Sequence, residues 1–519
     1  MKHRHELLPH PARALSLAAL AGGLAGWSLP PAGAVPLLWL ALALLWHLVA
    51  GPAPVRAAAC WGGVAVLVSH RWLLGLHPLD WIGIPLPLSL PLCWLLLLLL
   101  AALGGALLGL WGWCAVRLLP QRFSSAALLA LAWGLVEVLL ARGPLFWIGL
   151  GGSALPGDRA LAGFALLGGA GLVAALQLLI GWAVWWAWRE WPRLGVKVLL
   201  VWLPAVLLAH AAGAALLSTQ AAAAPTLAGQ ERVLVLQPAI PTREKLTSAS
   251  RRRLQRQLQA AQQQALAGRA DLVVLPEGAL GLDPVLGEPA AVNLLSGGFR
   301  SAGPGGEQRS ALLGFAAGSR QAGQAIDKHR LVLLGEWVPF QGLVRWSGLS
   351  AVGGIQPGAP SRLLPRLPAP IGVAICYEIA DGHALARATA AGAGWLLASA
   401  NLDPYPLVLQ QQFEALAQLR AIESGRWLVS VANTGPSGLI SAAGAVEQRL
   451  PSLQPATDLI RVPIGTSLTP YVRWREGPLW GLALLLALWR WRSAWSGLRR
   501  RCDRAARLVV KWSQADSNR

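Results

Sequence analysis

Charge is scarce in this sequence. Asp, Glu, Lys and Arg supply only 13% of 519 residues, against about 25% in ordinary soluble domains, which excludes a soluble fold over the whole length. Cysteine is also scarce: Cys60, Cys93, Cys114, Cys376 and Cys502 are the full set. They form no CxxC pair and no zinc spacing, so neither a metal cage nor a disulfide framework is expected. Acidic residues number 24 against 44 basic ones. The basic excess gathers beside apolar runs, the pattern of membrane-flanking loops, and nucleic acid is therefore excluded as a partner. No repeat with a period of 20–50 residues is present.

What the chain has in abundance is apolar sequence, with 55% hydrophobic residues and 27 Trp against 3 Tyr. Crossing a bilayer takes about twenty apolar residues. Seven runs qualify before residue 220, near 13–30, 34–51, 55–75, 89–117, 124–141, 160–187 and 196–217. A weaker eighth lies near 478–495, where Arg490 and Arg492 can snorkel and Trp480, Trp489, Trp491 and Trp495 suit an interface. Lys2, Arg4, Arg13, Arg56, Arg117, Arg122, Arg189, Arg193, Lys197 and the tail from Arg499 fall on one side if the N-terminus is cytoplasmic. Only Arg71, Arg142 and Arg159 fall on the other, which predicts both termini inside and the long polar segment outside. The first run, followed by Pro-Ala-Gly-Ala, also fits a cleaved signal peptide, which leaves that segment outside as well. The expected organisation is a polytopic α-helical membrane domain of about eight spans: seven helices over 1–219, an extramembrane domain over 220–475, the last helix over 476–497 and a basic tail over 498–519.

Within 220–475 short apolar runs read as buried strands at 232–237, 271–275, 331–334, 371–376, 394–399 and 427–432. Helical spacing at 248–268 and 408–424 alternates with them, predicting an α/β domain. Three residues stand out for chemistry. Glu277 ends a strand in LVVLPEG, where a carboxylate projects into a crevice. Lys328 stands in IDKHRLVLLGEW, and Cys376 ends IGVAIC before Tyr377 and Glu378. A thiol needs a cation or base nearby to act as a nucleophile at neutral pH, and Lys328 and Glu277 are the candidates; His329 and His383 are less well placed. Glu137, inside a span, is a functional candidate with Arg142 as its expected partner. The Gly/Pro-rich apolar stretches 278–299 and 338–360 are expected to be mobile arms over the site.

LVVLPEG, DKHRLVLLGEWVPF and GVAICYE, in that order, resemble the nitrilase superfamily. The surrounding spans, VEVLLARGPLFWIG and LRAIESGRWLVSVANTG narrow the resemblance to the apolipoprotein N-acyltransferase family. It implies an αββα sandwich in the extramembrane domain. It also implies Glu277 as general base, Lys328 and the Tyr377 backbone N–H as oxyanion donors and Cys376 as nucleophile, with Glu336 supporting the lysine and Glu378 completing the CYE motif. The implied donor is a phospholipid and the acceptor a diacylated apolipoprotein, with no cofactor or metal. The implied location is the bacterial inner membrane, with the catalytic domain on the periplasmic side. Departures from the family pattern occur at Leu246, at Asp403–Pro406 within NLDPYP, and at Gln410 and Gln411. A membrane-tethered amidase would use the same triad and pass the acyl group to water.

Overall fold

The computed structural model describes residues 11–80, 83–222, 227–245, 247–302, 307–333, 335–337 and 354–492. The apolar runs fold as helices α1 (Pro11–Ser28), α2 (Val35–Val49), α3 (Pro54–Ser69), α4 (Leu86–Leu118), α5 (Phe123–Ala141), α6 (Gly149–Ser153), α7 (Arg159–Ala162), α8 (Ala165–Leu194) and α9 (Lys197–Ala222). Proline stands in the first turn of α2, α3 and α4, where its missing N–H costs nothing. By length and apolarity, Pro54–Leu76, Leu86–Leu118, Phe123–Ala141, Ala165–Leu194 and Lys197–Gln220 suffice to cross a membrane. The run expected at 160–187 is not one straight span. Gly168 and Gly169 break α8, and Gly169 at φ 66° brings its backbone so near the Tyr471 ring that a Cβ would lie 2.4 Å from it.

The sheet-rich domain, over 227–465, holds two six-stranded sheets. The first is built from β1 (Leu227–Gln237), β2 (Leu272–Val274), β3 (Leu294–Ser301), β4 (Gln308–Phe315), β5 (Gln324–Asp327) and β12 (Ala456–Gly465), in the order β12-β1-β2-β3-β4-β5. The second comprises β6 (Leu363–Leu364), β7 (Ile371–Ile375), β8 (Trp395–Ala400), β9 (Leu428–Ala432), β10 (Gly438–Ile440) and β11 (Val446–Arg449), in the order β11-β10-β9-β8-β7-β6. Strands β1, β2 and β3 run parallel, as do β7, β8 and β9.

Period-two alternation explains the layers. Val233 and Val235 of β1 face Ile371, Val373, Ile375, Leu397 and Val431 between the sheets. Leu234 and Leu236 point the other way, to Ala261 and Ala265 of α10 (Ser248–Ala267). On the second sheet the outward Ala374, Leu396, Ala398 and Ala400 meet Phe413, Leu416 and Leu419 of α12 (Leu407–Ser424). That cluster continues into Ala165, Leu166 and Val173 of α8, so the domain sits directly on the membrane helices. Two further helices complete the domain, α11 (Gly382–Ala390) and α13 (Pro470–Trp474), followed by α14 over 477–492. The rest of the expected eighth run, 493–495, lies outside the described residues.

Two expectations fail here. Of the run 331–334, the described residues 331–333 belong to no strand, and 334 lies outside the described residues; the strand of that region is β5, ahead of Lys328, and Val332 and Leu333 instead line a cavity described below. The stretch 278–299 is not a free arm. Its last residues, from Leu294, belong to β3, and its first part bonds back onto that strand through Leu280 N–H to Gly297 O, Asp283 N–H to Phe299 O and Phe299 N–H to Gly281 O, at 2.9, 2.9 and 3.0 Å. Of the other expected arm, 338–353 lies outside the described residues. Residues from 354 onward are tied down by Gln356 N–H to Gln308 O and Gly358 N–H to Lys328 O, both 2.8 Å.

Candidate active site

Three strand ends converge. Glu277 follows β2 and Cys376 follows β7, the ends at which parallel strands open a crevice, and Lys328 follows the antiparallel edge strand β5. Lys328, 1% exposed, donates to Glu277 Oε1 at 2.7 Å and to Glu336 Oε1 at 2.9 Å. The other oxygen of each carboxylate is also held: Asn401 N–H donates to Glu277 Oε2 at 3.0 Å, and Val332 N–H to Glu336 Oε2 at 2.9 Å. Gly297 permits this arrangement, because a Cβ there would lie 2.3 Å from the Glu277 Cα.

Cys376 is buried and adopts φ 54°, a left-handed conformation that costs a non-glycine residue about 1–3 kcal/mol. The strain turns the chain sharply from β7 into a 3₁₀ turn, Cys376–Ala380. Glu378 braces that turn. Its carboxylate accepts from Ile375 N–H at 2.9 Å, from His329 and Arg330 N–H at 2.8 and 3.1 Å, and from Arg362 at 2.9 Å. It therefore ties the Cys376 turn to the Lys328 loop and does not face the lysine. Tyr377 donates its hydroxyl to Leu331 O at 2.8 Å, and the Arg330 guanidinium lies 4.8 Å from its ring centre.

Burial pushes the Cys376 thiol up, and the charges of Glu277 and Glu336 add to that, against opposition from Lys328 and from the Tyr377 N–H. The resting sulfur is a thiol. Burial opposes the charge on Lys328, but Glu277 and Glu336 together hold its ammonium well above the ordinary lysine value. Burial raises the Glu336 carboxyl, with Lys328 opposing and Glu277 adding to the rise. A protonated lysine thus stands between two acids beside a neutral thiol, a set able to remove one proton and stabilise one oxyanion.

Sequence reasoning passed over two residues. Asn401 positions Glu277 and is itself fixed by Thr242 and Asn433, both at 3.0 Å; its place just after β8 was the available signal. Lys245 donates to Gly278 O at 3.3 Å. Burial lowers it to about 8, while Glu277 and Asp403 pull it upward. Among the departures, Asp403 accepts from Thr242 N–H at 2.6 Å and Gln410 donates to Leu402 O and Tyr405 O at 3.2 and 2.9 Å; Leu246 lies outside the described residues. The Glu137–Arg142 pairing does not form. Glu137 accepts from Trp133 at 2.9 Å and from Leu150 N–H at 2.8 Å, because the unpaired N–H groups opening α6 point at it. Arg142 turns to Glu476 at 2.9 Å instead.

Cys376 opens into an apolar cavity of about 340 Å³. One wall comes from the sheet-rich domain, with Val332, Tyr377 and Tyr405, and the other from Trp72, Leu96 and Leu100 of the apolar helical region. Among the described residues no group of three or more His, Cys, Asp or Glu is placed to hold a metal ion.

No family model matches the chain. Among solved structures it is similar to Saccharomyces cerevisiae Nit3, of the nitrilase superfamily, at 15% identity and TM-score 0.35 over 48% of this chain and 94% of that one. It is also similar to the Nesterenkonia AN1 amidase at 17% identity and TM-score 0.35, over 48% and 96%. Similarity to curated sequences runs further. The apolipoprotein N-acyltransferase of Prochlorococcus marinus (strain MIT 9313) is 51% identical over 488 residues, covering 91% of this chain and 94% of its own. That of Parasynechococcus marenigrum (strain WH8102) is 52% identical over 85% and 92%, and that of Azotobacter vinelandii 33% identical over 94% and 96%. Identity at this level spans membrane helices and sandwich alike, and on that ground the chain belongs to the apolipoprotein N-acyltransferase family.

Proposed function

We propose that this N-acyltransferase carries an acyl chain from a phospholipid, through a thioester on Cys376, to the α-amine of a diacylglyceryl-cysteine at a lipoprotein N-terminus. The observation that carries the reading is the placement of the Cys376 sulfur beside the Lys328–Glu277 pair, at the end of an apolar cavity walled by membrane helices. Glu277 takes the thiol proton as sulfur attacks the ester carbonyl. Lys328 and the Tyr377 N–H stabilise the oxyanion. Collapse expels the lysophospholipid alkoxide, which recovers the proton from Glu277. The neutral amine then attacks the thioester and gives a proton to Glu277, and the departing thiolate is reprotonated by it. Glu336 holds Lys328 when Glu277 is protonated, and Glu378 keeps the cysteine turn in register.

Both substrates are anchored in lipid, so they reach the sulfur by lateral diffusion and the apolar walls limit competing water. In this reading residues 1–219 and 476–497 hold the 220–475 domain at the periplasmic face of a bacterial inner membrane, with the tail 498–519 inside. Intact-mass spectrometry after mixing with phospholipid tests it: the wild type should gain one acyl adduct that disappears in Cys376→Ala, and a diacylated lipopeptide should then discharge it as N-acyl peptide. An adduct retained by Cys376→Ala, or free fatty acid with no N-acyl peptide, contradicts the reading.

A further inference from the structure

A second pocket, of about 150 Å³, lies behind the first. Four guanidinium groups line it, those of Arg142, Arg330, Arg362 and Arg387, against two carboxylates, Glu378 and Asp381. Arg362 is consumed by Glu378 at 2.9 Å, and Asp381 is shared between Arg142 and Arg330 at 3.9 and 4.0 Å. Glu476, on Arg142 at 2.9 Å, still leaves positive charge in excess. Arg387 is exposed, and among the described residues no carboxylate pairs with it.

The pocket sits where chain enters the membrane domain. Arg330 donates to Ala141 O at 2.9 Å and to Gly143 O, closing the C-terminal end of the spanning helix α5. Glu476 immediately precedes α14. A basic pocket between helix ends at this depth meets the phosphate layer of a bilayer. It is also back to back with the apolar cavity. Arg142, Arg330 and Glu378 line the pocket, while their near neighbours Pro144, Val332 and Tyr377 line the cavity.

We propose that this pocket binds the phosphate of a phospholipid in the leaflet facing the catalytic domain and holds that lipid beside the cavity leading to Cys376. The phosphate takes Arg387 and Arg142, whose Nε has no hydrogen-bond partner among the described residues, while Asp381 keeps the arginines spread. The proposal extends the phospholipid-donor reading and rests on it only for the purpose of the bound lipid.

The test uses full-length Cys376→Ala protein in neutral detergent, so that no acyl transfer consumes the probe. Dioctanoyl phosphatidylglycerol, dioctanoylglycerol and inorganic phosphate are titrated separately, with binding read by native mass spectrometry. Adding Arg387→Gln should weaken phosphatidylglycerol binding about fivefold, the weight of one surface cation near a charged lipid. It should leave dioctanoylglycerol binding unchanged, and Arg387→Lys should restore most of the loss. Equal phosphatidylglycerol binding with and without Arg387 overturns the proposal. So does inorganic phosphate binding more tightly than the lipid with the same dependence on Arg387, which assigns the pocket to a soluble anion. Because the acyl adduct on wild-type Cys376 is scored independently, a normal adduct with no Arg387 effect removes the pocket and leaves the proposed reaction standing.

Discussion

Lys328 keeps its charge in a nearly dry position because two carboxylates face it at 2.7 and 2.9 Å. Lys328→Met strands those acids against each other, and breaking a buried pair in this way costs about 3–5 kcal/mol. Thermal unfolding in detergent should show the loss together with abolished acyl adduct; an unchanged midpoint contradicts the pairing. Lys245 is the opposite case, a lysine that burial lowers to about 8. Between pH 8 and its ordinary value the unfolded chain binds the extra proton, so its destabilising effect is full below pH 8 and fades as pH rises through that window. Lys245→Met should therefore be more stable than wild type at pH 7, by up to a few kcal/mol, with the gap closing by pH 10. A gap that widens with pH contradicts the assignment. Glu277 and Cys376 were legible in sequence because each is a polar residue ending an apolar strand. Lys245 was not, since a lysine in a Thr-Arg-Glu-Lys turn reads as solvated until the fold buries it.

Helix α12 carries the junction between the domain and the membrane helices. Nearly every residue from Leu409 to Ser424 is buried, since one face packs on the second sheet and the other on the membrane helices. Its polar side chains are satisfied across that contact: Gln412 donates to Ser69 O at 3.3 Å and to Pro30 O at 3.4 Å, while Glu423 accepts from Ala170 N–H at 2.7 Å at the break in α8. Leu416→Ala opens a cavity between sheet, α12 and α6, and should cost about 2–5 kcal/mol in denaturant or thermal unfolding. A loss below about 0.5 kcal/mol would mean that the two parts are not packed as described. The helix was legible from its 3.6-residue spacing, and so were the central strands β7, β8 and β9, whose residues are apolar apart from Ser399 and Ser430. Strands β3 and β4 were not, because LLSGGFRS and QRSALLGF mix Gly, Ser and Arg with their apolar residues. Gly297, which weakens the strand signal, is the residue that makes room for Glu277. Val332 and Leu333 misled for the converse reason, their hydrophobicity serving a cavity wall.

At the scale of the molecule, several long apolar helices beside a sheet-rich domain were readable from apolar length, whereas the cavity was not, because its walls come from 72–79, 92–103, 144–146, 332–333, 335, 376–377 and 402–413. Only folding brings those segments together, and neither half closes the space alone. An acyl chain ending at Cys376 must then lie against α4 along its length, and its far end, not its carbonyl, tests that wall. Leu100 lines the cavity and is 8% exposed. Leu100→Trp fills part of the volume while leaving Glu277, Lys328 and Cys376 untouched. A palmitoyl phospholipid should lose about tenfold or more in kcat/KM, on the scale by which apolar pockets discriminate chain volume, while an octanoyl donor changes little. Measuring both donors on one preparation separates the possibilities, since a misfolded variant loses both equally. No loss with the long chain would mean that the acyl group leaves Cys376 by a route other than the space between α4 and the sandwich.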